Sequence, residues 1–126
     1  MPILSDFTVV TESAFLFDGD ELDTDFSTGG RHNSNAVLDV AALGGFRSGD
    51  AGMRLRIRVN AHLLETIMVH RWETHSSIVF DRVNVVIPPN ILRSSGANTL
   101  RIEPLYEGSS DYTFIGPVVC HFHQSD

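Results

Sequence analysis

The stretch His70-Arg71-Trp72-Glu73-Thr74-His75 gathers side chains well suited to holding a ligand. An indole can cover the apolar face of a sugar ring. The imidazoles, guanidinium and carboxylate around it can bond the hydroxyls. His70, Arg71, Trp72, Glu73 and His75 are therefore candidate carbohydrate-binding residues. Trp72 suits a buried core position equally well, because large aromatics contribute strongly to small cores. Tyr106, Asp111 and Tyr112 flank a Gly-Ser turn and form a second candidate rim. An ordinary connection between strands accounts for them too.

The run Asp18-Gly19-Asp20-Glu21-Leu22-Asp23-Thr24-Asp25 offers hard oxygen donors of the kind that hold calcium. Asp18, Asp20, Asp23 and Asp25 are the candidate ligands. The run does not complete an EF-hand: its Gly comes too early, and no Glu stands at the twelfth position from Asp18. A solvated acidic turn is the plainer reading, since water screens neighbouring carboxylates. His121 and His123 share one face if their segment is a strand, with Cys120 and Phe122 on the other. That pair suits zinc only with a third ligand, for which His32 and His75 are the candidates. A surface histidine pair is again the plainer reading.

Nothing in the chain arranges these groups for catalysis. Ser, His and Asp occur without a nucleophile elbow. No glycine-rich loop ends in Lys, because the chain has no Lys. No pair of carboxylates stands out as a glycosidase pair. The expectation is a protein that is not an enzyme and needs no cofactor, with calcium as an option.

The elements that must position these residues are short and alternating. At 126 residues, 42% hydrophobic and 20% charged, the chain fits one soluble globular domain, 1–126. A net charge of −7, with all nine positive charges on Arg, disfavours a broad nucleic-acid surface. No stretch approaches the length of a membrane span, and no ordinary signal peptide is visible. The cytoplasm is the default location, with specialised export left open. Cys120 is the only cysteine, so no intramolecular disulfide forms, and its apolar neighbours predict a buried, inert thiol.

Met53 to Val59 alternates most clearly. Met53, Leu55, Ile57 and Val59 point one way, and Arg54, Arg56 and Arg58 the other, as in a strand with one wet face. Strands are also expected at Ile3–Val10 on an edge, at Ala36–Ala42, and at 77–87 before the Pro88-Pro89 stop. Two more are expected from Asn98 and over Tyr112–Phe122. Ala14–Phe17 is a short apolar run. Leu63 to Trp72 carries helix-like spacing but favours a strand, with a bulge as an option. Ser27–Asn35 reads as a loop, and Gly44-Gly45 and Ser48-Gly49-Asp50 as turns. About eight short strands joined by polar turns describe an all-β antiparallel sandwich.

The segment from residue 53 to 103 resembles the galactose-binding-like jelly-roll domains, including the sugar-binding domain of some glycoside hydrolases. The matching elements are Leu55-Arg56-Ile57-Arg58-Val59-Asn60, Phe80–Ile87, the connector Ile91-Leu92, and Gly96-Ala97-Asn98-Thr99-Leu100-Arg101-Ile102. The family usually has Asn-Gly after the first strand. Asn60-Ala61 stands here instead, which leaves room for a wider turn. The resemblance implies a jelly-roll sandwich of a family that often binds glycans, whose other members brace neighbouring domains or mediate protein contacts, and that often carries a structural calcium near the N-terminus. Carbohydrate recognition is the leading expectation. The alternative is a structural or assembly domain that meets a protein partner or copies of itself.

Overall fold

In a computed structural model, residues 3–12, 14–17, 21–45, 53–69, 81–105 and 112–125 are described. They form an all-β antiparallel sandwich consistent with a jelly-roll topology, with nine strands among the described residues. These are β1 (Ile3–Thr11), β2 (Ala14–Phe17), β3 (Leu22–Ser27), β4 (Ala36–Gly45) and β5 (Met53–Val59). They continue with β6 (His62–Val69), β7 (Asp81–Ile87), β8 (Ala97–Leu105) and β9 (Tyr112–Ser125). One sheet runs β1-β9-β4-β7, with β2 also paired to β9. The other runs β3-β8-β5-β6.

The period of two decides what goes inside. Leu55, Ile57 and Val59 on β5 have no exposed surface, while Arg54, Arg56 and Arg58 stay accessible. Leu100 and Ile102 on β8, Leu38 and Val40 on β4, and Val85 and Ile87 on β7 complete the dry interior with Ile115, Val118 and Cys120 of β9. Burying each such side chain stabilises the fold by about 1.5–3 kcal/mol. Pro88 follows Ile87 where β7 stops, and Leu92 in the connector beyond it plugs the core.

Four local features differ from the sequence reading. The acidic run is not one loop: β3 starts at Leu22, with Phe26 buried and Asp23 and Asp25 on its outer face. Gly44 and Gly45 lie within β4, opposite Thr113 and Tyr112 of β9, rather than in a turn. The β5–β6 turn is tight, with Val59 paired to His62 and Asn60 and Ala61 at φ of 50° and 69°. Two successive positive φ values are the signature of a two-residue hairpin turn, and here Ala accepts the strain that Gly would avoid. Finally, β9 shifts register against both β1 and β4 next to Pro117, which lacks an amide donor. A further shift, at Leu63–Glu65 on β6, is the bulge left open for that segment.

Candidate functional site

The outer face of the β3-β8-β5-β6 sheet is built by register. Asp23, Arg101 and Arg58 are successive partners across β3, β8 and β5. Asp25 pairs with Thr99 in the next row, and Arg56 with Glu103 in the row on the other side. Because the strands beneath present apolar residues to the core, these polar residues must share the outside.

Their charges then organise one another. The Arg58 Nε donates to Glu103 Oε1 at 2.6 Å. The Arg101 Nη2 donates to Asp23 Oδ2 at 3.1 Å, and its Nε lies 3.5 Å from Glu21 Oε2. The hydrogen bond to Asp23, then the nearby Glu21, push the Arg101 guanidinium further up from its ordinary value. Thr99 Oγ1 donates to Asp25 Oδ1 at 3.2 Å. Such exposed pairs add little stability, but they fix long side chains in place.

Beside this lattice lies a cavity of about 600 Å³. Its floor is Arg58 from β5 with Thr99, Arg101 and Glu103 from β8, and its end is the Asn60-Ala61 turn. Arg93 of the connector also lines it. The connector is held by a buried carboxamide network. Asn60 Nδ2 donates to Ile91 O at 2.7 Å and to Asn98 Oδ1 at 2.9 Å, while its Oδ1 accepts from Thr99 N at 2.9 Å. Asn98 Oδ1 also accepts from Arg93 N at 2.8 Å, and its Nδ2 donates to Thr28 Oγ1 at 2.8 Å. Thr28 Oγ1 in turn donates to Arg93 O at 3.0 Å. Both backbone groups of Arg93 are therefore held by side chains of the network.

Of the residues expected to carry function, His70, Arg71, Trp72, Glu73, His75, Tyr106, Asp111, Asp18 and Asp20 lie outside the described residues. For Tyr112 the backbone alone is described, opposite Phe17 and Gly45. The described chain nevertheless fixes where these segments leave the sheet. Val69 pairs with Met53, and Leu105 pairs with Arg54, one step along the same strand. Leu22, the first residue of β3, pairs with Ile102. Val69 and Leu105, the last described residues before two of the candidate groups, thus lie at one end of the sheet. The Asn60-Ala61 turn is at the other, about 20 Å away at the rise of an extended strand.

Asp23 and Asp25 project from β3 onto the outer face, where each already has a partner on β8. His121 and His123 share the exposed face of β9, with Cys120 and Phe122 buried behind them. Among the described residues no group of three His, Cys, Asp or Glu could hold a metal ion. Burial pushes the Cys120 thiol up to about 12.

Sequence reasoning did not single out Arg58, Arg93, Arg101 or Glu103 as a site. The alternation of β5 turned Arg58 outward, but its meeting with Glu103 depends on strand pairing across a long intervening segment. The Asn60 and Asn98 positions, read only as turn features, were the available signal.

No family model matches this chain, and no curated protein matches it. Solved structures do. The fold is similar to a part of PorU from Porphyromonas gingivalis, known from the crystal structure of its dimeric latent form. The TM-score is 0.69 over 99% of this chain, at 12% identity. This chain spans 13% of the length of that protein, and the likeness is one of fold. A distant similarity also extends to the carbohydrate-binding module CBM36, solved in complex with calcium and xylotriose. There the TM-score is 0.48 at 8% identity, over 94% of this chain and 98% of that one. Among the described residues no helix is long and apolar enough to cross a membrane.

Proposed function

We propose that this β-sandwich is a non-catalytic recognition domain that binds carbohydrate, and that the cavity over β5 and β8 is its binding site. The observation that carries this reading is the cavity itself. A volume of about 600 Å³ suits a small ligand or a few linked sugar rings. Arg58, Arg101, Thr99 and Asn60 of its lining are held in advance by Glu103, Asp23, Asp25 and Asn98. Arg58 and Arg101 supply donors and Glu103 supplies an acceptor, a mixture that hydroxyls can satisfy on both counts. Ordering cost is low because those side chains do not have to be recruited.

Trp72, with His70, Arg71, Glu73 and His75, belongs to this proposal as a second contact region, as do Tyr106, Asp111 and Tyr112. A calcium ion on Asp18, Asp20, Asp23 and Asp25 would compete with Arg101 and Thr99 for the last two carboxylates. Titration calorimetry with calcium chloride measures that competition. A broad glycan array tests the main reading. Wild-type binding that is lost in Arg58→Ala and Arg101→Ala, with strand circular dichroism intact, supports it. Silence across the array contradicts it. Loss in Trp72→Ala alone, with both Arg variants still binding, moves the site from this cavity to the segment around Trp72.

A second reading has its own observation. Phe7 and Val9 of edge strand β1 and Val86 of β7 are more than half exposed on the other sheet. Phe7, His121, Val37 and Val86 form one row across β1, β9, β4 and β7. Such a face suits an assembly domain that meets a protein partner or its own copies. Sedimentation velocity over a wide concentration range reads the homomeric version, which predicts self-association lost in Phe7→Ser.

A further inference from the structure

Arg93 differs from the other cations of the cavity. Arg58 is matched by Glu103, and Arg101 by Asp23 and Glu21. No acid stands against Arg93 among the described residues, although the chain carries 16 Asp and Glu against nine Arg. Its backbone is fixed at both N–H and C=O, and Arg93 lines the cavity from that fixed base. Among the described residues the lining holds three cations and one anion, with Asp23 and Glu21 against Arg101 beside it, which leaves Arg93 as the cation without an acid.

We infer that the ligand of this cavity carries a carboxylate received by Arg93, so that the carbohydrate it takes is an acidic glycan built from uronate sugars. The inference rests on the reading of this cavity as a carbohydrate site. A guanidinium offers a planar fork that matches a carboxylate with two parallel hydrogen bonds, stronger than bonds to neutral groups. A neutral sugar leaves that fork without its match. Next to the cations, Glu103 has one oxygen committed to Arg58, and its other oxygen accepts from hydroxyls. A ligand that satisfies both must carry hydroxyls and a carboxylate close together, which a uronate ring does and a plain peptide terminus does not. Among the described residues six of the seven that line the cavity are polar or charged, so charge contributes to binding, which weakens with salt.

Calorimetry on the whole chain at low salt tests this with oligomers of galacturonate, glucuronate and mannuronate, each beside its methyl ester. Esterification removes the charge and keeps the sugar. The expected result is at least one oligomer bound about tenfold or more tightly as the acid than as the ester, the worth of one charge-assisted contact. Arg93→Gln shrinks that preference, Arg93→Lys restores part of it, and both variants keep the wild-type Tm because Arg93 is exposed. Acid and ester bound equally, or neutral glycans bound while every uronate fails, overturns the inference and leaves the carbohydrate reading standing. A carboxylate-terminated peptide bound in place of any sugar, or no glycan bound at all, overturns both.

Discussion

Asn60 and Asn98 meet side chain to side chain, Nδ2 to Oδ1 at 2.9 Å, and join the β5–β6 turn to the entrance of β8. Asn98 has no exposed surface, yet its carboxamide reaches Asn60, Arg93, Thr28 and the carbonyl of Phe26. A buried polar group so fully satisfied fixes geometry, because removing it orphans several partners at once. Asn98→Ala is expected to destabilise the fold by about 3 kcal/mol, read as a lower midpoint in urea at unchanged slope. A loss under about 0.5 kcal/mol would mean that water replaces the carboxamide freely.

The same turn predicts a gain. Ala61 sits at φ 69°, a conformation that costs an L-residue about 1 kcal/mol and glycine almost nothing. Ala61→Gly is expected to raise stability modestly in thermal unfolding, the relieved strain exceeding the entropy that glycine adds to the unfolded chain. A fall in Tm would contradict the turn geometry.

Face assignment in β5 is checked by a pair of truncations. Ile57→Ala removes a side chain with no exposed surface and is expected to cost about 2–5 kcal/mol. Arg56→Ala on the opposite face is expected to stay within about 0.5 kcal/mol of wild type. Chemical denaturation of both variants reads the contrast, and equal losses would refute the alternation.

Cys120 gives a pH prediction. Its thiol is pushed up from 9.0 to about 12 by burial, so the folded state holds its proton more tightly than the unfolded state. The stability this contributes is complete below about pH 9 and declines as pH rises toward 12, by at most about 1.4 kcal/mol per pH unit. The chain has no Lys, so few other groups titrate in that window. Unfolding free energies between pH 8.5 and 10.5 should slope downward less steeply in Cys120→Ala. The native thiol should also resist a thiol reagent at pH 8 until denaturant is added.

Much of this fold was legible in the chain, for reasons that lie in particular residues. Leu55, Ile57 and Val59 against Arg54, Arg56 and Arg58 told inside from outside because a strand has period two. Pro88 marked the end of β7, and Gly96 and Asn98 the entrance to β8. The strand at Leu22–Ser27 escaped because Asp23 and Asp25 read as loop, although Leu22, Thr24 and Phe26 alternate with them. The tight turn at Asn60-Ala61 escaped because Ala rarely accepts positive φ. The cavity escaped for a deeper reason. Arg58, Arg93 and Arg101 come together only through the pairing of β5 with β8 and through a carboxamide network, and neither is written in local spacing.

Arginine side-chain Nε–Hε signals offer the most direct test of where ligand binds, because nine Arg and no Lys make that spectrum sparse. Titration with the tightest glycan from the array is expected to shift the Arg58, Arg93 and Arg101 signals together and to saturate at one affinity. Saturation with those three unmoved, while other signals respond, would contradict the cavity over β5 and β8 as the binding site.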